Sequence, residues 1–323
     1  MKLTELCQRY LIPISTGSMT KWASCALLTG LVLFAVSAPH SIAAAQISLV
    51  LCALAWAVRD IGAKKFHFAR TSLDWPIIGF ALLTTISALL SIEPGISLPK
   101  LRALLLFLII YLCATNLRPA AVRLLIMVML VSALTGVGFS LLEKLIGRGM
   151  IVTAIHADSP LAQSNLKPGD VIWMVTRRRV RSIEAATQII QSRKSGEQVE
   201  IEAIHNGDPL PVEITTTDEL KAKPNPLGIE VGGASRRFRV SGFTRHFITY
   251  AEQMQLFALL CFGALLAFLH RASGFSLNRR VIVSLSLVAL FALTLLLTVS
   301  RAAIASFLLS LFLVAALSAG KRI

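Results

Sequence analysis

The arginines around the last apolar segments are the residues best suited to chemistry. Four arginines lie between Arg236 and Arg245, ahead of an apolar run, and His246 follows them. Arg301 stands alone between two apolar segments, where a charge is costly and usually functional. The nearest acid in the sequence is Glu252, so the counter-ion of Arg301 is either that carboxylate or an external anion. Arginine stays charged and binds phosphate oxygens in a bidentate way, which makes phosphate a matching anion.

Composition places these residues in a membrane protein. The 323 residues are 55% hydrophobic and 15% charged, with a mean hydropathy of +0.72, whereas soluble proteins are about 45–50% apolar and about 25% charged. These values exclude a soluble enzyme, a disordered chain and a fibrous chain. The net charge of +15 arises in the apolar regions, because the charges within residues 150–249 are nearly balanced. The excess therefore indicates membrane topology, and no nucleic acid partner is expected.

Eight apolar segments are predicted to span the membrane. A bilayer core about 30 Å thick needs about 20 apolar residues of helix. The predicted spans are residues 22–38, 41–58, 74–92, 99–115, 120–142, 251–270, 281–299 and 302–319. Lysines and arginines cluster on alternate connections, so the positive-inside rule places both termini in the cytoplasm. The predicted fold class is an all-α polytopic protein of the bacterial inner membrane, with an inserted α+β domain in the periplasm.

Residues 150–232 carry alternating strand, turn and helix signals. They comprise a strand at 150–155, Ser159-Pro160, a Pro168-Gly169 turn before Val171-Ile172, a helix with Ser182 as N-cap, and two strands joined by Asn206-Gly207. This connected pattern resembles a bacterial PDZ domain. The resemblance implies that backbone N–H groups of Leu227, Gly228 and Ile229 hold a peptide carboxylate while the peptide adds as a strand. The implied partner is the C-terminal peptide of a periplasmic protein.

One turn of this domain departs from the family pattern. The family usually has an Asn-Gly turn after the strand that contains Val171-Ile172, whereas this chain has the basic tip Thr176–Arg179. We interpret the tip either as a solvated turn or as a contact with anionic headgroups or glycan phosphates.

Two motifs accompany the last spans. They are R-x-x-G-F-x-x-H-x-x-T-Y-A, from Arg239 to Ala251, and T-x-S-R with two small residues, from Thr298 to Ala303. With the span pattern, they resemble the O-antigen ligase and polymerase superfamily of bacterial envelope glycosyltransferases. The resemblance implies transfer of a glycan from a polyprenyl diphosphate to a lipid or glycan acceptor, without cofactor or metal. It also implies catalytic roles for Arg239 and Arg301 on the departing diphosphate and for His246 in orienting the acceptor or the phosphate.

Each of these residues also has a structural interpretation. Arg301 could snorkel to the membrane interface if the span edges differ from those predicted. Arg239 could belong to a basic collar beside the membrane, and His246 could make a structural hydrogen bond at the interface. Glu252 opens a helix, where a carboxylate interacts favourably with the N-terminal dipole.

The predicted organisation has three parts. Residues 1–149 form a bundle of five spans, 150–232 the periplasmic PDZ-like domain, and 233–323 a motif-bearing segment followed by three spans. The ligases have a further outer loop with a catalytic histidine after the second motif, and more spans. We therefore expect the chain either to be incomplete at its C-terminus or to lack the standard base, and enzymatic activity stays open.

Four functions compete. The first is a membrane glycosyltransferase of envelope polysaccharide assembly, and the second is a non-enzymatic PDZ scaffold anchored among membrane lipids. An intramembrane protease is disfavoured, because the sequence has no H-E-x-x-H motif and the spans show no serine–histidine pair. A transporter is disfavoured because no inverted repeat is evident.

Overall fold

The computed structural model describes residues 9–12, 17–64, 68–205, 208–244, 246–271 and 278–319. The chain divides into two compact units, Met1–Gly136 and Val137–Ile323. Most of the chain is helical, and a small antiparallel sheet lies within the second unit.

The first unit consists of apolar helices. They are α1 (Ser18–Ser37), α2 (Ile42–Ala63), α3 (Asp74–Leu89), the short α4 (Pro94–Ser97), the 3-10 helix η1 (Leu98–Phe107), α5 (Leu108–Asn116) and the start of α6 (Pro119–Ile146). Helices α1 and α2 approach closely because Gly30 lacks a side chain: a Cβ there would lie 2.7 Å from Cys52 Sγ. The buried guanidinium of Arg59 donates to Asn116 Oδ1 over 2.7 Å and to the carbonyl of Ile12, and so ties the segment before α1 to α2 and α5.

Seven helical stretches in the described part of the chain are long and apolar enough to cross a bilayer. The segment predicted as the third span instead forms the 16-residue α3, which is shorter than the roughly 20 residues that a span requires. The fourth predicted span falls within Pro94–Asn116, where ten residues are wound as the 3-10 helix η1. Runs of 3-10 helix this long are uncommon, and Pro99 lacks a backbone donor at the start of η1. The number of eight spans therefore stays a prediction.

The second unit contains the sheet expected from the PDZ pattern. Its strands are β1 (Met150–Ile155), β2 (Val171–Val175), β3 (Arg178–Arg179), β4 (Gln198–His205), β5 (Asp208–Thr215) and β6 (Ile229–Val231). The order is β5-β4-β2-β1-β6, all described pairs are antiparallel, and β3 pairs with β2. The predicted turn Asn206-Gly207 lies outside the described residues.

Two helices, α7 (Ile183–Gln191) and α8 (Asp218–Ala222), accompany the sheet. As predicted, Ser182 caps α7, since its side chain accepts the backbone N–H of Ala185. Ala186 and Ile190 are fully buried in the core of the sheet domain. Burial of a large aliphatic side chain such as Ile190 stabilises the fold by about 1.5–3 kcal/mol, so α7 is held by packing as well as by its cap.

Three helices follow the sheet: α9 (Phe247–Arg271), α10 (Arg279–Leu297) and α11 (Arg301–Ala319). Phe257 of α9 and Phe291 of α10 stack with ring centroids 5.5 Å apart. Ser306 of α11 donates to Gln255 Oε1 of α9 over 2.9 Å. The first motif ends within α9, and the second lies at the junction of α10 and α11.

Candidate functional site

The loop before β6 is built around a glycine that no other residue can replace without strain. Gly228 has φ +59°, and a Cβ at this position would lie 2.9 Å from Ser159 Cβ. Ser159 in turn donates its hydroxyl to the carbonyl of Leu227 over 2.6 Å and accepts the N–H of Leu161. Leu227 and Ile229 bury their side chains in the domain core. The serine–proline motif and the Leu227–Ile229 loop, 68 positions apart at Ser159 and Leu227, thus form one structure.

Asn225 already engages one of the backbone N–H groups that were predicted to hold a peptide carboxylate. The N–H of Gly228 donates to the carbonyl of Asn225 over 3.1 Å and lies 3.2 Å from its Oδ1. The side-chain Nδ2 of Asn225 donates to the carbonyl of Ile229 over 2.8 Å. A ligand that used either group would have to displace this asparagine.

β6 is the terminal strand of the described sheet path, beyond β1. It pairs with β1 through the positions Ile155–Ile229, Ala154–Glu230 and Val152–Val231, and no described strand pairs with its other edge. An edge strand of this kind presents backbone groups to which an extended peptide can add.

A small cleft of about 270 Å³ lies beside the same loop, lined by His156, Asp158, Pro160, Lys223 and Gly228 among others. Lys223 Nζ and Asp158 Oδ2 form an ion pair of 3.1 Å across it. The hydrogen bond from Lys223 and the positive charge of that group lower the pKa of Asp158. The cleft therefore presents an ammonium group and a firmly ionised carboxylate next to Gly228.

The glycine and the tyrosine of the first motif have structural roles. Gly242 has φ +55°, and a Cβ here would lie 2.5 Å from the ring of Tyr250. The hydroxyl of Tyr250 accepts a 3.0 Å hydrogen bond from Ser140 of α6. Phe243 stacks on Phe139 with centroids 4.5 Å apart. Gly242 thus makes room for the Tyr250 ring, and Phe243 and Tyr250 pack against α6.

The polar residues of the same motif are placed differently. The guanidinium of Arg239 lies 4.7 Å from the ring centroid of Phe247 and 3.8 Å from the carboxylate of Asp208, with a third of its side chain exposed. His246 is exposed, and its carbonyl accepts the N–H of Tyr250 and the hydroxyl of Thr244. Its backbone thus begins α9, while its ring faces outward.

The second motif makes the turn between α10 and α11. Thr298 donates its hydroxyl to Leu295 O over 2.7 Å and accepts the N–H of Ser300 over 3.3 Å. Val299 between them has φ +55°. The two hydroxyl residues therefore stabilise the turn, and Arg301 begins α11 with an exposed side chain.

One backbone hydrogen bond joins the two motifs. The N–H of Val240, next to Arg239, donates to the carbonyl of Leu297 over 3.2 Å, four residues before Arg301. The structure thus brings the two arginine-bearing segments together. Within the described residues no direct contact links the side chains of Arg239, His246 and Arg301.

The sequence analysis missed a buried charge cluster at the end of α6. Glu143, 3% exposed, accepts two bonds from Arg148 at 3.1 and 2.6 Å and one from Arg179 Nη1 at 2.8 Å. Arg148 lies between the rings of Trp173 and Phe238, with its guanidinium carbon 4.9 and 4.4 Å from their centroids. The sequence feature that could have indicated this cluster is an acidic residue, Glu143, in the last turn of an apolar helix, followed five residues later by Arg148.

This cluster engages one residue of the basic tip, Arg179, while Arg177 and Arg178 are exposed. Thr176 and Arg177 adopt positive φ and make the turn, whereas Arg179 forms an ion pair within the protein. Its guanidinium pairs with Glu143 and lies 5.2 Å from the ring centroid of Phe139.

Comparison with known proteins identifies the sheet domain. Residues 133–216 match the PDZ domain family. A "Probable periplasmic serine endoprotease DegP-like" of Chlamydia trachomatis serovar D is 36% identical over 72 residues, which are 22% of this chain and 14% of that protein. The crystal structure of the PDZ domain of an SdrC-like protein from Listeria monocytogenes is 27% identical, with a TM-score of 0.22 over 26% of this chain and 86% of that one.

The match covers α7 and strands β1 to β5 and ends before the loop that holds Gly228. The chain spans only about a seventh of the length of the DegP-like protein. The chain contains a PDZ domain, within residues 133–216.

Proposed function

We propose that this protein is a membrane-anchored recognition module, whose PDZ domain binds the free C-terminus of a partner peptide along β6. The observation that carries this proposal is the available edge of β6, next to the left-handed loop at Gly228. The backbone N–H groups of Leu227, Gly228 and Ile229 would hold the carboxylate once Asn225 is displaced. We further propose the boundaries 1–149, 150–232 and 233–323, because β6 lies beyond the family match yet pairs with β1.

Binding of labelled peptides to the purified full-length chain in detergent tests this proposal. Peptides that end in an apolar residue with a free carboxylate should bind, and the same peptides with an amidated end should bind much more weakly. Gly228→Ala should abolish binding, because the added Cβ would meet Ser159. Gly233→Ala is the matched control, since its Cβ would have no neighbour within 4 Å. Equal affinity for free and amidated peptides would rule out carboxylate recognition.

We propose that the PDZ domain faces the periplasm, with the apolar helices in the inner membrane and both termini in the cytoplasm. The support is the alternation of basic connections. This orientation needs an odd number of spans before the PDZ domain, so α3 would have to cross the bilayer in addition to the seven longer helices. A single cysteine at the exposed Ser195, in a background free of other cysteines, should react with an impermeant thiol reagent on intact spheroplasts. Reaction only after lysis would invert the orientation.

A second candidate function is glycan transfer from a polyprenyl diphosphate to a lipid or glycan acceptor. The hydrogen bond between Val240 and Leu297 favours it, because it draws Arg239 and Arg301 toward one region. In this proposal both arginines stabilise the departing diphosphate, and His246 orients the acceptor or the phosphate. Arg301 is exposed at the first residue of α11, where a helix N-terminus adds to the attraction for an anion.

Substitution of Arg301 tests the second candidate. Arg301→Lys keeps the charge but loses the bidentate fork, so transfer of lipid-linked glycan by membranes that contain the protein should fall strongly. Arg301→Ala should abolish transfer. Arg280→Ala, which removes an exposed arginine at the start of α10, is the matched control. Transfer at the wild-type rate in Arg301→Ala, at equal protein level, would leave snorkelling as the role of this residue.

A further inference from the structure

A basic cleft lies at another part of the PDZ domain. It has a volume of about 1040 Å³ and lies between the loop before β2, the end of β4 and the segment after β6. We define the basic cleft by Lys167, His205, Arg236 and Arg237, which all line it. It shares no lining residue with the cleft beside Gly228.

The charges in the basic cleft favour an anion. Asp170 lines it as well but is buried, and both of its oxygens are engaged: Oδ1 lies 2.7 Å from His205 Nδ1, and Oδ2 accepts the backbone N–H of Lys167 over 2.8 Å. The side chains of Lys167, Arg236 and Arg237 are exposed and form no ion pair with any described residue. Three exposed positive charges therefore line the cleft against one buried carboxylate, that of Asp170, which gives it an excess of positive charge.

The position of the basic cleft relates it to the end of an apolar helix. Ser235, which lines the cleft, exchanges two backbone hydrogen bonds with Arg148, at 2.7 and 3.1 Å. Arg148 comes two residues after the end of α6, the 28-residue helix Pro119–Ile146. If α6 crosses the bilayer, this end of it lies at headgroup level, and the basic cleft is anchored directly beside it.

We propose that the basic cleft binds a phosphate group, supplied by the headgroup of an anionic membrane lipid. Two adjacent arginines can engage phosphate oxygens in a bidentate way, and the lysine adds a third cation. The proposal requires α6 to be in a membrane, but it depends on neither peptide binding nor glycan transfer. A bound headgroup would fix the height of the PDZ domain above the bilayer.

Isothermal titration calorimetry of the full-length chain in a neutral detergent tests this site. The probes are dihexanoyl phosphatidylglycerol, dihexanoyl phosphatidylcholine as the zwitterionic control, and inorganic pyrophosphate as a free source of the same chemistry. Each basic residue near an anionic surface is worth about a fivefold change in affinity, so Arg236→Gln with Arg237→Gln should weaken phosphatidylglycerol binding about 25-fold. Both side chains are exposed, so the double variant should keep the wild-type thermal transition.

The matched control removes the same charge from another part of the domain. Arg177 and Arg178 are exposed on the basic tip, and Arg177→Gln with Arg178→Gln should leave binding within about twofold of the wild type. Binding of pyrophosphate but not of phosphatidylglycerol, with the same dependence on Arg236 and Arg237, would support the phosphate site and assign it to a soluble ligand. Equal losses in the two double variants, or no binding of any probe, would overturn the proposal.

Discussion

Replacing Glu143 by glutamine should strongly weaken the attachment of the PDZ sheet to the end of α6. The Glu143 carboxylate is almost fully buried and serves two guanidinium groups, with three N–O distances between 2.6 and 3.1 Å. One of its partners, Arg148, is itself buried between Trp173 and Phe238. Without the carboxylate, Arg148 would remain buried with an uncompensated charge.

The expected cost follows from this burial. Removing one member of a buried ion pair costs about 3–5 kcal/mol, because the other charge is left unpaired. Glutamine retains the shape of the side chain and one acceptor oxygen. The aromatic faces beside Arg148 contribute about 0.5–2 kcal/mol to stabilising its charge. We therefore expect the cost of Glu143→Gln to lie at the lower end of this range, about 3 kcal/mol. Arg179 is the matched control: its side chain is 40% exposed, and Arg179→Gln should cost about 0–1 kcal/mol.

Hydrogen exchange of the full-length chain in detergent measures these costs. The slowest amides of β1 and β2 report the free energy of opening of the sheet, which should fall by about 3 kcal/mol in Glu143→Gln. Replacing the pair together, as Glu143→Leu with Arg148→Met, should restore much of this loss, since an apolar pair of similar volume needs no desolvation of charge. Equal effects of Glu143→Gln and Arg179→Gln would refute the argument from burial.

Three further predictions concern other parts of the second unit. Gly242→Ala should destabilise the chain by about 1–3 kcal/mol in chemical denaturation, because of its positive φ and the adjacent aromatic ring, whereas Gly233→Ala should change little. The lowered pKa of Asp158 means that its pairing with Lys223 stabilises the fold above about pH 4 and that this stability is lost as pH falls through the folded-state pKa. Asp158→Asn should therefore lower the Tm at neutral pH and converge with the wild type in acid. Asn225→Ala should raise the affinity for a free-acid peptide about fivefold, since the contact of Asn225 Oδ1 that competes for the Gly228 N–H, worth about 1 kcal/mol, is removed; a loss of affinity would show that the asparagine shapes the loop instead.

Local patterns in the sequence predicted most of the elements. The alternation in 150–155 and 198–205 corresponds to β1 and β4, and the apolar periodicity after Ser182 corresponds to α7 with its cap. These features depend on residues a few positions apart, so they can be predicted from one sequence without knowledge of the tertiary structure. The length of α3 was overestimated because hydropathy alone does not show where a helix ends.

The sequence by itself determined the apolar character of the helices, the presence of a PDZ domain and the candidate residues Arg239, His246 and Arg301. Only the tertiary structure decided the partners of the charged groups. Arg179 meets Glu143 across 36 positions, and Val240 meets Leu297 at the turn between two helices. Such contacts form where separately folded elements pack together, and a buried charge selects its partner by distance in space. Spacing along the chain carries no record of that distance, so the tertiary structure alone could show which arginines are engaged and which remain open to a ligand.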